Sequence, residues 1–255
     1  MFETLEVPPR LRMPSVLFWA APNMGKSCIQ VHFLSLVRAR YPASNEPAEK
    51  DKLWRAEGVL RLEINDELTE KRLYIDILRR LNAPRPMEAT TYRLQDMVII
   101  QLAANRVRMI ILDEIQRITE FRARDQRIVL NALKYLSNQL SISIVGFGSG
   151  EAKALIKSDP HLEERFEIVG LPAWAKREKW VVDAVRERLR FIPLRKPTLI
   201  DRPLMEALFL HSGSIVGRLF SLIERAAIVA LDNEECLAAK LIEDVALRRR
   251  REVHD

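Results

Sequence analysis

A chain of 255 residues has room for one large α/β domain, or for a medium domain with a small one, and 48% hydrophobic against 30% charged residues suits a sizeable buried core. Two cysteines, Cys28 and Cys236, lie far apart with no histidine at ligand spacing, which excludes the usual zinc patterns, argues against a disulfide framework and points to a reducing cytosol. A formal net charge of +6 suits a polyanionic partner without requiring one, no apolar run approaches the ~18 residues of a membrane span, and residues 1–6 lack the basic and apolar segments of a signal peptide.

Residues 1–14 read as an extended lead-in, since Pro8, Pro9 and Pro14 oppose regular helix. The apolar run 15–21 (SVLFWAA) predicts a fully buried strand, and Pro22, Asn23 and Gly25 a turn. From Lys26 the spacing of Ile29, Phe33 and Val37 predicts a helix. Residues 41–55, with Pro42, Ser44, Asn45, Pro47 and clustered charge, read as a surface loop. A second strand is predicted at 58–64 (GVLRLEI), then an amphipathic helix at 69–81 with Leu73, Ile77 and Leu81 on one face. Pro84 and Pro86 end it, and another helix covers 91–105. A third strand at 108–113 (RMIILD) precedes a helix at 124–140 with Ile128, Leu133 and Leu136 inward. A fourth strand at 142–146, a short helix at 151–157 and a fifth strand at 166–169 follow. From Trp174 the chain reads as helices interrupted at 193–197 and 211–213. Buried strands alternating with helices imply a parallel sheet covered on both faces. The expected fold class is therefore α/β, with a core over 1–185 and a small C-terminal helical subdomain over 186–255.

The strongest local signal is Ala20-Ala21-Pro22-Asn23-Met24-Gly25-Lys26-Ser27, which matches GxxxxGK[ST] except that Ala20 stands where the first glycine belongs. A buried strand running through such a loop into a helix aims backbone N–H groups and the helix dipole at phosphate. Residues Ala21, Pro22, Asn23, Met24, Gly25, Lys26, Ser27 and Cys28 are the candidate ATP-binding segment: Lys26 reaches the β- and γ-phosphates, and the Ser27 hydroxyl ligates Mg²⁺. A methyl at position 20 costs on the order of 1 kcal/mol if the backbone there is left-handed, and little otherwise. The second signal is Met109-Ile110-Ile111-Leu112-Asp113-Glu114, an apolar strand ending in two acids at the sheet edge where α/β folds bind ligands. Asp113 is expected to hold Mg²⁺ through water, and Glu114 to serve as general base or water-positioner for attack on the γ-phosphate.

Three further segments, 143–152, 159–166 and 213–219, taken with the two motifs above, make the chain similar to the TniB/TnsC family of AAA+ ATPases over roughly residues 10–235. The stretch from Val145-Gly146 to Ser149 resembles that family's strand bearing the sensor-1 residue, which makes Ser149 the candidate. Asp159-Pro160-His161-Leu162-Glu163-Glu164-Arg165-Phe166 resembles its D-x-x-L-x-x-R-F segment, so that Arg165 is the candidate arginine finger for a neighbouring subunit. Gly213-Ser214-Ile215-Val216-Gly217-Arg218-Leu219 resembles the G-x-x-G-R-L segment opening a lid helix, which makes Arg218 the sensor-2 candidate. Arg12-Met13-Pro14 and Leu171-Pro172-Ala173-Trp174 also read like TniB.

The resemblance implies an ATP- and Mg²⁺-dependent regulator of transposition that binds duplex DNA without sequence preference and oligomerises as a hexameric or heptameric ring or a helical filament. It further implies a bacterial, cytoplasmic protein whose partners are a TnsB/TniA-type transposase, a TniQ-type targeting protein and, in guided systems, a CRISPR effector. The stretch 67–80, with Lys71 and Arg72 as the leading candidates, matches the one that tracks the DNA backbone in the family, and Thr90 and Thr91 at the next helix start are placed to donate to phosphate; a solvated face on which Lys71 and Arg72 pair with Glu67, Glu70 and Asp76 is the commoner fate of such a helix. Arg248 to Arg251 suit phosphate, an acidic partner or simply the cationic end of the last helix. Two rival readings stay open: another DNA-associated AAA+ role, such as a helicase loader or initiator-like ATPase, and a non-hydrolysing nucleotide-binding scaffold, which Ala20 motivates.

Overall fold

The computed structural model describes all residues except 10–11, 43–53, 68, 175–177, 232–234 and 253–255, and leaves the side chains of 249–252 undescribed as well. Much of the loop expected at 41–55, and the side chains of Arg249, Arg250 and Arg251, therefore lie outside the described residues. The chain divides into two compact units, one formed by residues 1–21 and 26–171, the other by 22–25 and 172–255.

The first unit is built on six strands: β1 (Ser15–Trp19), β2 (Arg55–Ala56), β3 (Val59–Glu63), β4 (Met109–Asp113), β5 (Ser143–Gly148) and β6 (Phe166–Gly170). They lie in the order β2-β3-β4-β5-β1-β6, all parallel except the antiparallel hairpin of β2 with β3. Alternation along each strand sends side chains to both faces. Leu60, Leu62, Ile110, Leu112 and Ile144 enter one cluster. Val59, Met109, Ile111, Val145 and Phe147 enter the other. The first cluster is closed by α3 (Glu70–Arg80), α4 (Thr91–Ala104), α5 (Ala123–Leu140) and α6 (Gly150–Lys157). The second is closed by α1 (Phe2–Glu6) and α2 (Lys26–Arg40). Both faces being covered explains why the strands read as continuous apolar runs.

Several local expectations are corrected. Residues 2–6 are helical, because Pro8 restricts only the residues at and just before it: Val7 is extended (φ −58, ψ 129), and upstream Phe2 and Leu5 pack with Phe33. On α2 the inward stripe is Lys26, Gln30, Phe33, Leu34 and Val37, while Ile29 is exposed. On α5, Val129, Leu130 and Leu133 face the core and Ile128 does not. β2 begins at the last residue of the expected surface loop, and β5 runs two residues further than its apolar pattern, through Phe147 and Gly148. A 3-10 turn, Ile115–Glu120, follows β4 directly and buries Ile115 and Ile118. A short helix, α7 (Pro160–Glu163), precedes β6, with Asp159 as its N-cap accepting from His161 N.

The second unit holds α8 (Lys179–Arg190), α9 (Arg202–Ser212), α10 (Val216–Leu231) and α11 (Ala239–Glu252). Val181, Val185, Leu204, Leu208, Leu219, Ile223, Ala226 and Ile242 form its core. Trp174 meets Trp180 and Phe220 edge-on, at 5.0 and 5.8 Å between centroids. The boundary expected at 185/186 falls inside α8, whose Val181 and Val185 are wholly buried in this helical core; the division comes earlier, between Leu171 and Pro172. Asp201 caps α9 by accepting from Leu204 N, and Gly213 ends it in the left-handed conformation (φ 63). Among the described residues, no helix is long and apolar enough to cross a membrane.

Candidate nucleotide site

The parallel strands put the C-terminal residues of β1, β4 and β5 along one edge of the sheet, where α/β folds bind ligands. β1 leads there into Ala20, whose N–H donates to Gly148 O at 3.1 Å, extending the β1–β5 pairing by one residue. Ala20 is buried and is not among the left-handed residues of the described chain, so its methyl carries little backbone strain. The left-handed positions of the loop are Asn23 (φ 62), which an asparagine tolerates, and Gly25 (φ 81).

Lys26 opens α2 with only 8% of its surface exposed. Its Nζ donates to Ala20 O at 3.3 Å and Ala21 O at 3.2 Å, which draws the ammonium back over the end of β1. The Ser27 hydroxyl donates to Asp113 Oδ2 at 3.2 Å across 86 residues of sequence. The two motifs recognised in the sequence therefore meet in space. Asp113 is almost fully buried, and its Oδ1 accepts from Glu114 N at 3.1 Å. A serine hydroxyl beside a carboxylate at a helix start is a hard-oxygen donor set, and it fits Mg²⁺ held jointly with phosphate oxygens and water. Cys28, Ala21, Pro22 and Asn23 are exposed and Met24 is buried.

Glu114 is left-handed (φ 56, ψ 38), a turn that redirects the chain off β4 into the 3-10 segment. Its Oε2 accepts from Gln116 Nε2. The other end of the same amide, Gln116 Oε1, accepts from Ser149 N at 3.2 Å. Gln116 thus bridges the candidate base and the candidate sensor 1, a connection that sequence reading missed. Ser149 caps α6, its hydroxyl accepting from Glu151 N at 3.3 Å and donating to Glu151 Oε2 at 3.1 Å. The missed signal is Gly148, where a Cβ would lie 2.7 Å from Gln116 Oε1 and 2.5 Å from Ala152 Cβ.

A second missed residue is Arg61. It sits in the middle of β3, 7% exposed, and its Nη2 donates to Asp113 Oδ2 at 2.7 Å. Its Nε donates to Gln30 Oε1 on α2 at 2.6 Å. An arginine inside a run buried on both faces signals a buried anionic partner. The sequence could not say which, because Asp113 is 52 residues away.

Arg165 is placed elsewhere. Its carbonyl accepts from Ser15 N at 3.1 Å, and Phe166 pairs with Ser15 at the start of β1. Arg165 therefore stands at the N-terminal edge of the sheet, about 15 Å of strand from the edge bearing Lys26 and Asp113. Among the described residues its guanidinium makes no ion pair, with Glu163 and Glu164 included. Asp159, six residues earlier, is bound by Lys134 Nζ at 2.6 Å, and that hydrogen bond holds its carboxyl below the ordinary carboxylate range.

In the second unit, Gly217 N donates to Asn23 O at 2.8 Å, and Val216 Cγ1 lies 3.8 Å from where a Cβ on Gly25 would stand. Arg218 follows Gly217 directly and is exposed. Of the DNA candidates, Lys71 Nζ donates to Met87 O at 2.8 Å, three residues before Thr90. Thr90 caps α4 by accepting from Arg93 N, and Thr91 is the first residue of that helix. Arg72 is paired with the buried Asp76 at 3.3 Å, and Arg79 with the same carboxylate at 2.8 Å.

A profile of the family described as Bacterial TniB protein matches residues 1–176. No curated protein matches the sequence. Among solved structures, the ORC2 protein of Aeropyrum pernix in its ADPNP–ADP complexes superposes with a TM-score of 0.67 at 16% identity, over 92% of this chain and 62% of that one. The ORC1 protein of the same organism in complex with DNA gives 0.66 at 14% identity, over 94% and 61%. Domain III of the Thermotoga maritima replication initiation protein DnaA gives 0.57 at 12% identity, over 96% and 87%. The chain spans about three-fifths of the length of the first two, and at these identities the likeness is one of fold: a mostly parallel sheet flanked by helices, with a C-terminal helical region. The family match takes in both the Lys26–Ser27 loop and the Asp113–Glu114 edge that meet in the site, and the chain belongs to the bacterial TniB family.

Proposed function

We propose that this TniB-family chain is an ATP-dependent regulator of transposition. It assembles with copies of itself on duplex DNA, marks a target, and recruits or activates a transposase of the TnsB/TniA type. A TniQ-type targeting protein, or in guided systems a CRISPR effector, directs the assembly, and ATP hydrolysis disassembles it. The observation that carries this reading is the Ser27–Asp113 hydrogen bond, which unites a phosphate loop and an acidic strand end in a TniB chain.

In this reading, Lys26 leaves the carbonyls of Ala20 and Ala21 for the β- and γ-phosphates, while residues 21–28 supply the amide-lined loop. Ser27 and Asp113 would hold Mg²⁺, which neutralises charge on the phosphoryl oxygens when bound. Glu114 orients or deprotonates the attacking water, and Gln116 fixes its carboxylate against Ser149. The position of Arg165 at the opposite sheet edge from its own loop supports a role in a neighbour's site rather than in its own. Arg218 serves as sensor 2. Lys71, Thr90 and Thr91 contact the DNA backbone, which carries no sequence information of its own, while Arg72 beside them is held by Asp76 and contributes little.

The test is nucleotide-dependent assembly on duplex DNA, followed by electron microscopy with a slowly hydrolysed ATP analogue. Wild type is expected to form rings or filaments, and Lys26→Ala to form none. Assemblies of normal yield from Lys26→Ala would refute the reading.

A further inference from the structure

Arg61 carries a charge that the proposed reaction does not use, in a place where charge is costly. Burial of a guanidinium is tolerated only when its hydrogen-bond capacity and charge are met. Here Nη2 meets Asp113 Oδ2 at 2.7 Å, Nε meets Gln30 Oε1 at 2.6 Å, and the guanidinium carbon lies 4.9 Å from the centre of the Trp54 ring. Arg61 N also donates to Trp54 O at 2.6 Å. Arg80 of α3 also lies over Trp54, at 3.2 Å from the ring centre. The guanidinium is therefore fixed from three sides: by α2, by the end of β4 and by an indole.

The oxygen it grips is the one that matters. Asp113 Oδ2 accepts from both Ser27 Oγ and Arg61, whereas Oδ1 faces Glu114 N. The same oxygen thus faces the serine in the first turn of α2 and a fixed cation. The geometry points to Arg61 as a positioning residue that holds the Asp113 carboxylate in register and competes with Mg²⁺ for it, so that the metal requirement of ATP binding is set higher than the loop and the carboxylate alone would set it. This rests on the reading of residues 21–28, Ser27 and Asp113 as an ATP and Mg²⁺ site. A cation that shares a carboxylate oxygen with a metal weakens the metal's hold, as any like charge does. It also gives the metal a mechanical consequence: Mg²⁺ arriving beside Asp113 repels the guanidinium that stacks on Trp54, so the indole reports the metal.

The experiment is a Mg²⁺ titration at a fixed concentration of a fluorescent ATP analogue, with the full chain. Arg61→Gln is expected to lower the half-saturating Mg²⁺ concentration by about fivefold, the low end of ordinary coupling between two ligands. Arg61→Lys, which keeps the charge, stays near wild type. In an Asp113→Asn background the Arg61→Gln effect disappears. A purely structural arginine would give the reverse sign, weaker binding with a higher metal requirement, and that result overturns the proposal, as does an equal effect in the Asp113→Asn background. Trp54 emission, taken as the difference between wild type and Trp54→Phe, gives a second measurement in the unaltered site, which stands even where Arg61→Gln does not fold. It is expected to change when Mg²⁺ is added to protein already holding ATP, and an unchanged signal overturns the proposal. A wild-type chain that binds no ATP at any Mg²⁺ concentration defeats the ATPase reading and this inference together, whereas normal Mg²⁺-dependent binding unmoved by Arg61→Gln defeats the inference alone.

Discussion

The backbone N–H of Gly217 donates to the carbonyl of Asn23 at 2.8 Å, and a Cβ at position 217 would lie 2.8 Å from that same oxygen. The start of α10 thus grips the middle of the phosphate loop, and only a hydrogen side chain leaves room for the grip. Gly217→Ala is expected to displace Asn23 and weaken ATP binding about tenfold, or about 1.4 kcal/mol. The helix gains little in return, because Gly217 is only the second residue of α10 and the new methyl meets backbone. Isothermal titration with ATP and a thermal melt read the two consequences: affinity should fall and the melting temperature should not rise. Unchanged affinity would mean that the loop does not depend on this contact.

Glu114 and Gln116 form a second pair with separable consequences. Glu114→Gln removes the negative charge but keeps an oxygen facing Gln116 Nε2. Turnover should fall by about 10²–10⁴, the usual contribution of a positioned general base, while assembly on DNA persists and outlasts that of wild type. Gln116→Leu should lower turnover by about tenfold or more with ATP affinity nearly unchanged, the pattern of a group that acts on the reaction step rather than on binding. Single-turnover hydrolysis beside equilibrium binding reads both. Faster disassembly by Glu114→Gln would contradict its assignment.

The parts of this site that were legible in the sequence are those encoded locally. SVLFWAA and RMIILD are apolar runs long enough to be buried strands; GKS comes after the first with three residues between, and the DE pair begins with the last residue of the second. Thr69 and Thr90 announce their helices, each accepting from the N–H three residues on. Invisible were contacts between distant segments. Arg61 reads as a lone charge until β3 and β4 align in parallel, Glu63 opposite Asp113. Gln116 looks like an ordinary residue after a strand until β5 brings Ser149 beside it. β2 is two residues long and has no periodicity to detect. The helix at 2–6 was hidden because three prolines downstream dominated the reading of a segment whose own residues pack on Phe33.

The two leading DNA candidates of α3 are not equivalent. Lys71 spends its ammonium on a backbone carbonyl, Met87 O, which leaves its full charge available to phosphate. Arg72 is neutralised by Asp76, whose buried carboxylate also takes Arg79 and Asn65 Nδ2. Lys71→Ala should weaken duplex binding equally across sequences and reduce the salt dependence of log K by about one unit. Arg72→Ala should change DNA affinity by less than about twofold but lower stability, because it leaves a buried carboxylate with fewer partners. Fluorescence anisotropy at several salt concentrations decides between them. A larger loss for Arg72→Ala than for Lys71→Ala would reverse the assignment.

Lys134 and Asp159 offer a pH test of how Arg165 is positioned. The Lys134 hydrogen bond, with help from the N–H groups of His161 and Leu162, lowers the Asp159 pKa from the ordinary 3.8. A carboxylate whose native pKa is depressed contributes stability that is complete above the ordinary value and is lost as pH falls through the lowered native one. Lys134→Met should therefore cost a constant amount from about pH 5 to 7, roughly 1 kcal/mol or about 2–4 °C in a chain of this size. Below the ordinary carboxylate value of 3.8 the gap to wild type should close, because protonation removes the same pairing from the wild type. Asp159→Asn should lose that pH dependence yet keep α7, since asparagine caps a helix about as well as aspartate. Both variants loosen the anchor of the four-residue helix that ends just before Glu164 and Arg165, so both should lower ATP turnover in the DNA-bound assembly while leaving ATP binding by the free chain unchanged. Thermal melts across the acid range beside turnover measurements test the two halves together. A stability gap that widens as pH falls would show that Lys134 stabilises the unit by some route other than the Asp159 carboxylate.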